Sequence, residues 1–538
     1  MTSRFTSDAK GALHIVQLKL PKLLSVLTVT TVAAAMVTTT APHATAQQKP
    51  AIAWEDCPKS VERPGARCGR IDVPQNYADP QGKKISVGFI QFKATNGAKD
   101  TIFTNPGGPG GDVYGWLGTT DMTEFPAEFF ANYDIIGVQP RGLNGSTPLE
   151  CSDTSKLGPA DQFTQSGEAI RKACETSHPG YPAQITTENT ARDWDEVRKA
   201  LGKDTISIYG LSYGTLLGST YATLFPKQTN KVVLDSGLNA SNQWSHVIAS
   251  QEAGYNTALQ EFFNWAALND DKFHLGTTPY AVYTKWAQAI QAQSGVWPSV
   301  TPPKATAADL PPHSSGVGQA AVDIINGTEP AHSQAKNLGS QLFAGGRNQS
   351  HSSVLGYTFM RLPMPRFWES IVETIHNPDL ATQKLIPKEP TEEDAKAFIH
   401  SFNMRSTIMC NEAQSPWNPQ DIPRALWTNY VIADVIQAGP SLFNSGLVCN
   451  GAAPITKGVP FNGSALKTRP LQIQATRDPQ TPYGDFWEMQ KSMNSHLITV
   501  NGPGHSHFGV GNKAVDKVVL DYFRTGAATT SELPGYFG

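Results

Sequence analysis

Charge of one sign is what this 538-residue sequence has least of: 43 lysines and arginines stand against 46 acids, a formal net charge of −3. So balanced a chain offers no broad field for a nucleic acid or an anionic membrane surface, and neither is expected as a partner. Cysteine is scarce too. There are six, with no Cys-x-x-Cys pair and no Cys/His cluster, so no metal-ligating pattern is legible. Long low-complexity tracts are missing. The apolar segment 23–37 is interrupted by threonines and falls short of the ~20 apolar residues that a membrane span needs. What remains is a globular composition, 39% hydrophobic and 17% charged, long enough for one large domain with a substantial insertion or for two to three ordinary domains.

The first 46 residues read as an export signal. Lys19 and Lys22 flank the apolar segment, and Ala44-Thr45-Ala46 follows as a small-x-small cleavage site. The mature chain is expected to begin near Gln47 and to leave the cytoplasm for the cell envelope or the medium. The first cysteine after that point is Cys57, so no lipid attachment point is seen. In an oxidising compartment six cysteines are expected to pair. Fifteen connectivities are open, and spacing does not choose among them; pairing neighbours gives Cys57–Cys68, Cys151–Cys174 and Cys410–Cys449.

The rest of the chain is organised around residues 204–219. A β-branched and aromatic run at 205–209 predicts a buried strand, and 215–225 predicts a helix closed by Pro226. Between them stands Gly210-Leu211-Ser212-Tyr213-Gly214. A serine at the apex of so sharp a strand-to-helix turn needs small neighbours two residues away on each side, because side chains there clash as the backbone reverses. The turn lifts the Ser212 hydroxyl to a helix N-terminus, where developing negative charge is favoured. Ser212 is the expected nucleophile.

Upstream, strands are expected at 67–73, 84–93, 101–104 and 133–138. The third runs into Asn105-Pro106-Gly107-Gly108-Pro109-Gly110-Gly111. Four glycines and two prolines in seven residues form a loop with exposed backbone amides. Such a loop suits an oxyanion hole, whose backbone donors meet charge developing on a carbonyl oxygen. The fourth strand leads into Gln139-Pro140-Arg141-Gly142. Arg141 is expected to form a structural salt bridge bracing the glycine loop, with substrate contact as the other option. An amphipathic helix at 188–201, then a strand at 231–236, complete an alternation that implies a parallel sheet covered on both faces. From Gly237 to about Gly451 the alternation stops. Helical stretches at 255–268, 279–293, 392–402 and 421–438, rich in aromatics and joined by proline-rich segments, read as an inserted cap. Strands at 470–475 and 496–500 and helices at 484–493 and 513–523 then resume the pattern. The organisation expected is an α/β core at 47–240, a helical cap at 241–451 and a second core part at 452–538.

A serine hydroxyl needs a base to take its proton, and the base an orienting acid. In this architecture the order is serine, acid, histidine, with the partners after late strands. Asp478 follows the strand 470–475, and His505 follows the strand 496–500 in Gly504-His505-Ser506-His507. His507 competes as the base; His505 ranks first because it stands beside Gly504, immediately beyond the strand.

The glycine loop, the Gly210–Gly214 motif, Arg477-Asp478-Pro479-Gln480-Thr481-Pro482 and Gly504-His505 together resemble the α/β-hydrolase serine peptidases of the tripeptidyl aminopeptidase and proline iminopeptidase branch. The resemblance spans nearly the whole mature chain. It implies the α/β-hydrolase fold with a helical cap, oxyanion donors at the Gly108 and Tyr213 amides, no cofactor, and removal of short peptides or single residues from free N-termini. It also implies an acidic cap residue, matched by Glu412, to receive the substrate ammonium. Gln139 departs from the pattern, because the family usually has aspartate there. A carboxylesterase or lipase-like hydrolase would use the same triad, and a non-catalytic binding protein on this scaffold is a third class, disfavoured by the intact motifs.

Overall fold

The computed structural model describes residues 50–538 except 153–165, 239–243, 312–317, 344–351, 387–389 and 433. The expected export signal lies outside the described residues. Ten strands form one sheet among the described residues: β1 (Ala53–Glu55), β2 (Ala66–Pro74), β3 (Lys84–Phe92), β4 (Asp100–Asn105), β5 (Tyr133–Val138), β6 (Ile206–Leu211), β7 (Thr229–Asp235), β8 (Leu471–Arg477), β9 (His496–Pro503) and β10 (Glu532–Pro534). Their order is β1-β2-β3-β5-β4-β6-β7-β8-β9-β10. The pairs β1–β2, β2–β3 and β3–β5 are antiparallel, and every later pair is parallel.

Strands β5 and β6 are buried at every residue, as expected of a parallel sheet covered on both faces. The alternation along β6 shows it directly. Ile206 and Ile208 join one apolar cluster with Trp194, Leu217 and Tyr221. Tyr209 and Leu211 join the opposite one with Phe129, Val519 and Phe523. Each layer hides a face that a lone sheet would leave in water, at about 25 cal/mol per Å² of apolar surface. Register places Asn105 beside Gly210, Leu211 beside Asp235, and Arg477 beside Pro503. The loops leaving β4, β6, β7, β8 and β9 therefore emerge along one edge.

The chain between β7 and β8 holds helices and, among its described residues, no strand. Aromatic residues of the helices Ser245–Leu268, Pro279–Ser294 and Trp368–His376 build a separate core, with Phe262, Phe263, Tyr283, Trp286 and Trp368 buried together. The expected helix at 421–438 is not continuous. It divides into Ile422–Leu426, a π-helical turn Trp427–Val431 and Val435–Asn444. Asp434 explains the restart: its buried carboxylate accepts the Ile436 N–H and caps a new helix. The expected helix at 392–402 extends instead to Glu412. Each cysteine is paired, as Cys57–Cys68, Cys151–Cys174 and Cys410–Cys449. No helix among the described residues is long and apolar enough to cross a membrane.

Candidate active site

The strand β6 runs straight to Leu211, and the helix Tyr213–Leu224 starts two residues later, so Ser212 alone makes the turn. Its φ of 55° and ψ of −123° are a strained conformation for a residue with a side chain. The flanking glycines explain how the turn closes. A Cβ on Gly210 would lie 2.2 Å from the Gly214 carbonyl oxygen, and one on Gly214 would lie 2.6 Å from the Asn105 carbonyl oxygen. Ser212 is held by its backbone: its N–H donates to the Asp235 carbonyl at 2.9 Å, and its own carbonyl accepts the Thr215 N–H at 2.8 Å.

The glycine loop 105–111 packs onto this elbow. Gly107, at φ 97°, approaches so closely that a Cβ there would meet the Leu211 carbonyl at 2.7 Å, Ser212 Cβ at 2.8 Å and Tyr213 N at 3.1 Å. The Asn105 side chain anchors the loop by accepting the Gly107 N–H. Gly108 follows directly, so the two expected oxyanion donors, the Gly108 and Tyr213 amides, belong to segments in van der Waals contact. Gln139 braces the far end of this loop. Its Nε2 donates to Asp112 Oδ1 and to the Asn144 carbonyl, while its Oε1 accepts the Val113 N–H. Arg141 does form a salt bridge, but elsewhere. Fully buried, it grips Asp193 of the helix Thr187–Ala200 through Nε and Nη2 at 2.7 and 2.6 Å, and donates to the Gln75 carbonyl. The expectation that Arg141 braces the glycine loop is thus corrected: an amide at 139 does that, and Asp193 takes the arginine.

Asp478 and His505 meet at the ends of β8 and β9. His505 Nδ1 lies 3.0 and 2.9 Å from the two carboxylate oxygens. Asp478 also accepts the Gln480 and Thr481 N–H groups and the Thr481 hydroxyl. Burial pushes its pKa up, but the imidazole and these donors outweigh it and hold the carboxyl below its usual range. An ionised carboxylate only accepts, so Nδ1 carries the proton and the neutral ring keeps Nε2 as its basic nitrogen. His507 is built differently. Its backbone N–H donates to Asp235, its ring Nε2 is buried without a hydrogen-bond partner among the described residues, and burial lowers its pKa. Of the two histidines, it is His505 that Asp478 engages.

Two residues that the sequence did not flag hold the histidine loop. Asp235 Oδ2 accepts the His507 and Phe508 N–H groups and the Tyr209 hydroxyl, while Ser236 Oγ accepts the Ser506 N–H. The same Asp235 uses its carbonyl to hold Ser212, tying the elbow to the histidine loop. Ser212, Ser236 and Ser506 all take positive φ, and strain in non-glycine residues gathers at functional sites. The only advance signal for Asp235 was an acid at a strand end.

Glu412 is buried rather than exposed. Its Oε1 accepts the Thr187 N–H at 2.6 Å, the first amide of the helix Thr187–Ala200, where a carboxylate meets an unsatisfied donor and the positive helix end. Thr187 Oγ1 in turn contacts the Tyr213 hydroxyl at 3.0 Å, and Trp244 packs on the Tyr213 ring. Burial raises the Glu412 pKa to about 7, against the opposing effect of its Thr187 bond. No group of three or more His, Cys, Asp or Glu among the described residues is arranged to hold a metal ion.

Residues 101–322 match the model of the alpha/beta hydrolase fold family, and residues 435–533 that of the TAP-like proteins. A tripeptidyl aminopeptidase of Streptomyces lividans is 27% identical over 510 residues, covering 88% of this chain and 84% of its own. Serine protease Hip1 of Mycobacterium tuberculosis is 24% identical, covering 89% of this chain and 90% of its own. Carboxylesterase B of the same species is 25% identical, covering 90% of each. The chain thus has the α/β-hydrolase fold, and the elbow and these relatives support a serine peptidase.

Proposed function

We propose that the protein is an exported serine exopeptidase that removes short peptides, tripeptides foremost, from free N-termini. The observation that carries the chemistry is the packing of the glycine loop on the strained Ser212 elbow, which brings a nucleophile and two backbone segments rich in donors into contact. Ser212 Oγ attacks the scissile carbonyl carbon and passes its proton to His505 Nε2. Asp478 keeps the imidazole oriented and stabilises the imidazolium. The oxyanion accepts from the Gly108 and Tyr213 N–H groups. Collapse breaks the C–N bond, the leaving amine takes the proton from His505, and a water activated by the same ring hydrolyses the acyl-enzyme. Glu412 supplies the carboxylate that receives the substrate ammonium; a carboxyl poised near neutrality ionises readily beside a cation.

The relative named carboxylesterase B supports a second reading, hydrolysis of esters by the same machinery. A matched pair of tripeptide anilides, one with a free amine and one N-acetylated, run beside an aryl ester, separates the two. Turnover of the free-amine anilide alone, abolished in Ser212→Ala, is expected. Turnover of the ester with neither anilide would overturn the exopeptidase in favour of the esterase.

A further inference from the structure

The helix Glu392–Glu412 packs on the glycine loop. Its Ser401 hydroxyl donates to the Gly110 carbonyl at 2.7 Å, and one turn later Arg405 Cβ lies 3.5 Å from where a Cβ on Gly110 would stand. A second anchor comes from the acid loop. Gln480, whose N–H donates to Asp478, reaches the Tyr255 hydroxyl with its side chain at 2.8 Å. Gly254 packs so tightly on Pro479 that a Cβ there would come within 2.4 Å of its carbonyl oxygen. The Tyr255 hydroxyl feels both Asp478 and Arg405 electrostatically. Arg405 therefore stands beside the glycine loop, near the tyrosine that touches the acid loop.

It is also unpaired. Arg405 is exposed to water, with no hydrogen bond or ion pair among the described residues, and Tyr255 is the one group acting on its charge. Desolvation by the surrounding protein nonetheless lowers its pKa. By contrast, Arg141 and Arg477 have Asp193 and Glu261 as partners. A fork of five donors with no acceptor, set beside the glycine loop, matches a carboxylate.

We propose that Arg405 forms an anion subsite that binds a carboxylate of the peptide substrate. This rests on the exopeptidase reading. The carboxylate has two sources, an acidic side chain near the scissile bond or the C-terminus of a short peptide. Three tetrapeptides distinguish them: a neutral peptide amide, the same peptide with a free C-terminus, and an amide carrying one glutamate beside the scissile bond. A charge-assisted hydrogen bond changes the ratio of kcat/KM, carboxylate peptide to neutral amide, about 10- to 100-fold. Wild type should show that preference for one carboxylate peptide or both, and Arg405→Gln should erase it, mainly through KM. The peptide that loses its advantage identifies the source. Equal ratios in wild type and Arg405→Gln overturn the subsite alone. No hydrolysis of any of the three by wild type overturns the exopeptidase reading, and this subsite with it.

Discussion

The sheet core and the helical insertion are both aromatic-rich and well packed, yet they store information differently. In the core, the proposed reacting groups sit in short motifs at strand ends. Local sterics dictate the neighbours: the glycines at 210 and 214 are there because a Cβ would collide with backbone 2.2 to 2.6 Å away. In the insertion, the residues that reach the site come from separate helices and loops. Pro363 accepts the His505 N–H, Tyr255 contacts Gln480, Ser401 contacts Gly110, and Glu412 caps a helix of the core. No spacing rule marks them. The chemistry is written locally, and what surrounds the substrate is written in tertiary packing.

This division has consequences that mutation can break. Asp478→Asn should cut kcat about 10³- to 10⁴-fold, because an amide still accepts the Gln480 and Thr481 N–H groups but no longer fixes the imidazole tautomer or stabilises its charge. Steady-state kinetics on a free-amine anilide reads this; a loss below about 10-fold would detach Asp478 from the base. Deep in the insertion, Trp286 is fully buried and donates to Thr358. Trp286→Ala should cost about 3–5 kcal/mol of stability, seen in urea unfolding, with kcat per folded molecule far less affected than in Asp478→Asn. Equal losses of kcat in the two variants would erase the distinction between core and insertion.

At the junction, Glu412 sets a pH dependence. Its pKa rises from an ordinary 4.5 to about 7 on folding, so the folded chain binds that proton more tightly than the unfolded one. The stabilisation is complete below about 4.5 and is lost as pH rises through 7, roughly 3 kcal/mol in all. Glu412→Gln, which keeps an acceptor for the Thr187 N–H and does not titrate, should show a flatter Tm against pH across that window. Identical slopes in the two proteins would remove Glu412 from the account.

Much of the core was legible for the same local reason. The elbow, the glycine loop and the order serine, acid, histidine follow from steric and chemical needs spanning a few residues, and the strands expected from alternation lie within a few residues of those observed. The edge strands β1 and β10 escaped notice: each has three residues, and β1 is exposed throughout, so neither carries a burial pattern. Asp235 and Ser236 were missed because their partners stand some 270 residues away. The last ten residues of the helix ending at Glu412 were missed because Asn403, Arg405, Ser406 and Asn411 interrupt any apolar stripe; Met404 and Ile408, packed into the core, hold that segment instead.

The central claim is an acyl-enzyme on Ser212, and covalent trapping tests it most directly. The mature protein is treated with a fluorophosphonate, and intact mass and peptide mapping locate the adduct. One adduct on the peptide containing Ser212 is predicted, absent in Ser212→Ala and formed far more slowly in His505→Gln than in His507→Gln. An adduct formed equally well in Ser212→Ala, or a label on a different serine, would contradict the account.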